Sequence, residues 1–371
     1  MKGKKIGIIA IIVAAVILVG VGFYLFVKYR TYNYIEVVKS YDNGSKDNAN
    51  YASCMGGILR YSRDGIALLS AKGKEKWNQP CQLSNPFIDQ TEESVVVADK
   101  GGTSILVFSE KGLKGEIKTT RPIEKVSVST QGIVSAILKD EETPLVMCYD
   151  AKGAVLVEHK VSVEKMGYPI DVGISRDGKT LIVSYLNTKD NKIKGEVVYY
   201  YFGEGGTSKE NNIVLQKEID NTIIPVTSFL DKETSLIVTD SAVMLYQGLK
   251  APKQMAKVEF KEEIQQVAYS EKMIAVLTKH AGDAVHKLHI YNVKGKELAS
   301  VDIDKEYTQL KVENDQVFLW DGQMCSIYLK NGTHKYEGKV EQKILEIFPL
   351  RTMNKYMMIN TTGFHEVQLT K

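Results

Sequence analysis

From residue 51 onward the chain alternates short apolar runs with small polar turns, and seven of those turns close a strand-like segment at a spacing of about 43 residues. The segments are Ile66-Ala67-Leu68-Leu69 into Lys72-Gly73, Ile105-Leu106-Val107-Phe108 into Lys111-Gly112, Leu145 to Tyr149 into Lys152-Gly153, and Val197 to Tyr201 into Gly205-Gly206. They continue with Val243 to Tyr246 into Gln247-Gly248, Leu288 to Tyr291 into Lys294-Gly295, and Ile327-Tyr328-Leu329 into Asn331-Gly332. A period of that length with four strands per unit is that of a β-propeller blade. Within a unit the middle strands, such as Ser94 to Ala98 and Ser104 to Ser109, are almost wholly apolar, whereas the last, such as Glu116 to Thr119, is mixed. Sheets sandwiched between neighbours and wetted at the rim read this way.

The spacing predicts blades over residues 50–80, 84–121, 122–162, 168–218, 222–259, 263–303, 306–340 and 343–371. The last holds three strands, and the segment Tyr34 to Lys39 supplies a fourth that joins the two chain ends and covers an exposed edge. Eight blades result; seven is the alternative, because residues 187–217 are long and the opening strand near Tyr51 to Cys54 is weak. No helical periodicity is evident after residue 30. The body is expected to be all-β.

Ahead of it stands a different pattern. From Ile6 to Val27 there are 22 residues without a charge, fifteen of them Ile, Val, Leu or Phe. As a helix this run spans about 33 Å, enough for a hydrocarbon core of roughly 30 Å. A cleaved secretory signal is the competing reading, but the run exceeds an ordinary signal core and ends in bulky Phe23-Tyr24-Leu25-Phe26 rather than a small-residue cleavage site. Lys2, Lys4 and Lys5 precede it, Lys28 and Arg30 follow, and this asymmetry favours a cytoplasmic amino terminus. The expected layout is a cytoplasmic tip and membrane anchor over residues 1–30, a stalk with the closing strand over 31–50, and an extracellular propeller over 51–371. Such a chain sits in the cell membrane as a single-pass protein, contacting lipid through its first helix.

Charge changes little in this picture. The net charge is +3, and the five cations flanking the apolar run, with no acid before Glu36, leave the rest near −2, too slight to suggest nucleic acid as a partner. The four cysteines show no metal-type spacing. Cys148 and Cys325 fall on corresponding strands of distant units and are not expected to bridge. Cys54 and Cys81 bracket one unit and could meet as a disulfide, against the more ordinary reading of buried free thiols.

Candidate chemistry is sparse. His280, Asp283, His286 and His289 form a loose metal-type set, but strand alternation puts His286 and His289 on opposite faces, so no metal site is expected. The pairs Glu92-Glu93, Glu141-Glu142 and Glu262-Glu263 sit at turns, where solvated charge is the ordinary role. Paired carboxylates facing the channel would instead suggest acid and base flanking a glycan. Ser62-Arg63-Asp64-Gly65 and Ser175-Arg176-Asp177-Gly178 read as tight turns, the Asp accepting backbone hydrogen bonds and Gly taking positive φ. Gly73, Gly112, Gly153, Gly178, Gly295 and Gly332 are the turn glycines. No nucleophile elbow, phosphate-binding loop, dinucleotide fingerprint or HExxH motif occurs.

The stretch Gly65 to Trp77, a strand into Lys72-Gly73-Lys74-Glu75-Lys76-Trp77, resembles the PQQ-type (quinoprotein-like) propeller repeat. Ile174 to Val183, with Ser175-Arg176-Asp177-Gly178-Lys179, is similar to the turn of WD40-like and TolB-like propellers. The layout of the whole chain resembles membrane-anchored propeller proteins of Gram-positive bacteria grouped as a domain of unknown function. Quinoprotein enzymes repeat the tryptophan in nearly every blade and hold their cofactor with vicinal cysteines and calcium. Here Trp77 and Trp320 stand alone without adjacent cysteines, so no cofactor is expected. The expected function is a non-catalytic, membrane-tethered binding or scaffold module for an envelope protein or cell-wall polymer, with a glycan-active hydrolase or lyase as the alternative.

Overall fold

The computed structural model describes residues 2–41, 48–189, 192–203, 212–279 and 285–371, the side chains of residues 1–10 excepted. Gly205-Gly206, His280 and Asp283 lie outside the described residues. The chain opens with a helix, Lys2–Tyr29, and continues into eight four-stranded antiparallel sheets arranged as an eight-bladed propeller. Innermost strands, in blade order, are Asn50–Cys54, Pro86–Gln90, Ile123–Val128, Tyr168–Ile174, Val226–Phe229, Ile264–Tyr269, Gln309–Glu313 and Ile344–Pro349. One helical turn, Val163–Met166, joins blades 3 and 4; four residues are too few to leave a periodicity in the sequence.

Seven blades run in sequence order from inside to outside, and the eighth takes its outermost strand from the other end of the chain. Strand Tyr34–Tyr41 pairs antiparallel with Gly363–Thr370, from Tyr34 opposite Thr370 to Tyr41 opposite Phe364. Ring closure is therefore carried by backbone hydrogen bonds between segments more than 300 residues apart. The edge that Gly363–Thr370 would otherwise offer to another chain is covered.

The core lies between blades. Among the described residues eight buried apolar clusters occur, one at each blade interface, such as Val96, Val107, Val134 and Met147 between blades 2 and 3. Middle strands are buried on both faces, as in Val95–Asp99 and Val134–Leu138, while in outer strands such as Val155–Lys160 only alternate residues, Val157 and His159, are even half-buried. Two faces result. The near face carries the hairpins between first and second strands and the turns between third and fourth. The far face carries the turns between second and third strands and the crossings to the next blade.

Near-face turns between third and fourth strands hold Gly73, Gly112, Gly153, Gly295 and Gly332 at φ of 74°, 114°, 95°, 79° and 80°, and Gly178 closes the first hairpin of blade 4 at 71°. At Gly295 a Cβ would also lie 2.5 Å from the Cβ of Ala256 in the preceding blade, so both conformation and space restrict that position to glycine.

The possible disulfide between Cys54 and Cys81 does not form. Cys54 and Cys81 are free thiols, as are Cys148 and Cys325. Cys54 ends the innermost strand of blade 1 at the near face, whereas Cys81 follows the outermost strand at the far face. Three strand spacings alone separate them by roughly 14 Å, and a disulfide needs Cα atoms within about 7 Å.

Candidate functional site

The innermost strand of a propeller blade has one edge paired to its own sheet and one facing the axis. Its axial N–H and C=O groups need partners from elsewhere. Here side chains of neighbouring blades supply several. Asp89 Oδ2 of blade 2 accepts from the Val128 N–H of blade 3 at 2.7 Å, and Ser127 Oγ of blade 3 accepts from the Ile174 N–H of blade 4 at 3.3 Å. Asp171 Oδ2 of blade 4 accepts from the N–H and hydroxyl of Thr227 in blade 5, at 2.6 and 3.2 Å. Gln90 Nε2 donates back to the Ser53 carbonyl at 2.9 Å, and Lys311 Nζ donates forward to the Ile347 carbonyl at 3.1 Å. Each contact staples one blade to the next.

Charges accompany the staples. Lys125 Nζ lies 3.2 Å from Asp171 Oδ1. Lys311 Nζ sits between Glu313 and Glu346, at 2.8 and 3.1 Å, and 4.1 Å from the centre of the Phe348 ring. Burial pushes the Asp89 carboxyl up to about 6, against the hydrogen bonds it accepts. Burial likewise raises Asp171, offset by Lys125 and Thr227, and raises Glu346, offset by Lys311.

Asp89, Gln90, Ser127, Lys311, Glu313 and Glu346 border a cavity of about 520 Å³ in the near-face half of the channel, within the roughly 300–1,000 Å³ of small-molecule sites. Five carboxylates line it, Asp89, Glu92, Glu271, Glu313 and Glu346, against the two cations Arg176 and Lys311. Tyr269 projects into it. The residue is 38 % exposed although the ring surrounds it, and burial, with Asp89 and Asp171 nearby, pushes its phenol up to about 12.

A clasp crosses the near-face mouth. Arg176, in the first hairpin of blade 4, donates to Glu92 of blade 2, to Glu271 of blade 6 at 2.9 Å and to the Leu230 carbonyl of blade 5 at 3.1 Å. Glu92 and Glu271 are close enough to share one proton, which lowers the pKa of Glu92 and raises that of Glu271. Blades 2 and 6 stand opposite one another in a ring of eight, so these residues bridge the opening.

Other sequence candidates lie elsewhere. His286 Nε2 meets Glu306 at 2.8 Å, while His289 meets Thr278 and Glu297, both at 3.4 Å, on the opposite face of the same strand. Among the described residues no group of three His, Cys, Asp or Glu is placed to hold a metal ion. Ser62 Oγ accepts from the Asp64 N–H at 3.3 Å, and in the second such turn Asp177 Oδ1 accepts from the Ser175 hydroxyl at 2.6 Å and the Lys179 N–H at 3.1 Å. Glu92 alone of the paired glutamates borders the cavity. The sequence reading missed the staples. A signal existed in Pro86-Phe87-Ile88-Asp89 and Pro169-Ile170-Asp171, where an acid follows a proline and one or two apolar residues within the innermost strands of two units.

The first helix meets the ring at the near face. Between Tyr29 and Tyr34 only four residues intervene, and the Tyr32 N–H donates to the Lys335 carbonyl at 2.9 Å and that of Asn33 to Thr370 at 3.0 Å. Tyr32 is buried against blades 7 and 8, its hydroxyl donating to the Val27 carbonyl at 3.0 Å and accepting from Asn354 Nδ2 at 2.6 Å. The stretch Ile11–Tyr29 is long and apolar enough to cross a membrane, with mean hydropathy 2.5 and none of it buried.

This chain belongs to a family of unknown function (DUF5711), whose model matches residues 28–369. No curated protein matches it. Among solved structures it resembles BamB from Moraxella catarrhalis, at 10 % identity and a TM-score of 0.55 over 91 % of this chain and all of that one. It also resembles the computationally designed Ika8 protein, at 12 % and 0.54 over 90 % and 98 % of the two chains, and apo AztD from Citrobacter koseri, at 10 % and 0.54 over 80 % and 87 %. At these identities the likeness is one of fold.

Proposed function

We propose that this family member is a membrane-tethered, non-catalytic propeller, held outside the cytoplasm by its first helix, that binds or organises envelope proteins or cell-wall polymer. The observation that carries this reading is the junction. An apolar helix with none of its spanning stretch buried passes within four residues into the strand that completes the ring, and Tyr32 is locked between two blades. An exposed apolar helix needs a lipid environment, and so short a connection keeps the ring close to it. Commitment of the channel carboxylates supports the non-catalytic half. Asp89 and Asp171 accept backbone N–H bonds, and Glu346 is held by Lys311 and the Ile347 N–H.

The test uses cells expressing the full chain. Protease added outside is expected to digest the ring and leave the helix in the membrane fraction, and cross-linking followed by detergent extraction is expected to recover an envelope component. A ring protected in intact cells would overturn the topology. The second reading, a glycan-active hydrolase or lyase, draws on Asp89, a carboxyl with a raised pKa beside a roomy cavity. Turnover of wall glycan by the wild type but not by Asp89→Asn would replace the binding reading with that one.

A further inference from the structure

A second cavity, of about 320 Å³, opens where the first helix meets the near face. Its walls come from the last turns of the helix and from turns of blades 7 and 8. Their charges are Lys28, Lys330, Lys335, Arg351 and Lys355, against one acid, Asp315. Lys330 is paired with Asp315 at 3.1 Å and Lys355 with Glu366 at 2.9 Å. Among the described residues no ion pair is formed by Lys28, Lys335 or Arg351.

Lys335 is the informative member. It is 3 % exposed, and its ammonium donates to the Lys28 carbonyl at a long 3.4 Å. Burying an ammonium without an anion is costly, and here the like charge of Lys28 stands beside it. Burial, then Lys28, lower its pKa to about 8. An anion in the cavity would relieve both penalties. Tyr24 and Tyr29 also border it, and aromatic residues with Lys and Arg at the end of an apolar helix mark headgroup depth.

We propose that this cavity binds the phosphate of an anionic phospholipid headgroup, with Lys28, Lys335 and Arg351 as its ligands. The proposal rests on the reading that the helix spans a membrane. A lipid phosphate and a free phosphate share the same recognition chemistry, and the proposal commits to the lipid because helix and cavity share one wall.

Native mass spectrometry of the delipidated full chain in detergent tests this, with phosphatidylglycerol, phosphatidylcholine and glycerol phosphate as probes. The expected result is one phosphatidylglycerol bound at least ten-fold more tightly than phosphatidylcholine, with that preference lost in Lys335→Met and in Arg351→Gln. Arg351 is exposed, so its variant leaves the fold intact if the buried Lys335→Met does not. Equal binding of the two lipids, or a preference unchanged in Arg351→Gln, would overturn the proposal. Glycerol phosphate binding as tightly as the lipid would overturn its lipid half. Release of wild-type protein from membranes by alkaline carbonate would overturn the spanning helix instead, a readout independent of headgroup preference.

Discussion

Replacing Asp171 distinguishes a side chain that holds the ring from one that performs chemistry. Its Oδ2 takes the Thr227 N–H at 2.6 Å, its Oδ1 faces Lys125 at 3.2 Å, and Asp171 and Thr227 are 8 % and 4 % exposed. Asp171→Ala strands a buried N–H that no neighbouring strand can reach, at a cost of about 1–3 kcal/mol, toward the upper end because the lost bond is charge-assisted. The Lys125 side chain is 43 % exposed, so losing that pair adds under about 1 kcal/mol. The sum is a loss of about 2–4 kcal/mol. Asp171→Asn keeps a carbonyl for Thr227 and removes a buried charge, so it should lie within about 1 kcal/mol of wild type. Guanidinium denaturation followed by the fluorescence of Trp77 and Trp320, both outside blades 4 and 5, reads the unfolding of the ring. The reasoning is refuted if Asp171→Ala matches wild type, or if Asp171→Asn falls as far as Asp171→Ala.

Three further outcomes are expected. Asp89 holds its proton up to about pH 6 in the folded ring against an ordinary 3.8; its contribution is present below pH 4 and lost as pH rises through 6, up to about 3 kcal/mol. Asp89→Asn should flatten that part of the stability–pH curve, and parallel curves would contradict it. Gly153→Val places a β-branched side chain at φ 95° with its Cβ 3.4 Å from the Glu116 carbonyl, and should lower stability by about 1–3 kcal/mol in thermal melts; an unchanged melting temperature would show that the turn relaxes. A chain starting at residue 48 lacks the outermost strand of blade 8 and should melt lower and self-associate by light scattering, compared with one starting at residue 31. Equal melting and a monomer in both would show that Tyr34–Tyr41 is dispensable for closure.

The ring was legible in the sequence because blade packing imposes a rule on every residue of a strand. Middle strands such as Val95–Asp99 must be apolar on both faces, outer ones such as Val155–Lys160 on one, and turns such as Lys152-Gly153 need positive φ. Each rule acts within ten residues and leaves a local mark. The eighth blade was legible for a related reason, since Ile344–Pro349, Lys355–Asn360 and Gly363–Thr370 read as strands and lacked a fourth. The possible pairing of Cys54 with Cys81 fails because closeness along the chain is not closeness across a blade. Asp89, Asp171 and Arg176 left almost no mark, because their partners are 39 to 95 residues away and are defined only once the ring has closed.

That division by distance bears on where function resides. Groups that must wait for closure divide into the staples at the axis and the clasp at the mouth, and each is already engaged. Any ligand reaching the cavity from the near face must displace Arg176 from two carboxylates or fit beneath it. Both faces also carry turns from all eight blades, where side chains are free to vary without disturbing strand pairing. Axial groups that secure the blades leave those turns, and the cation-rich junction beside the first helix, as the surfaces on which recognition can change while the ring stays whole.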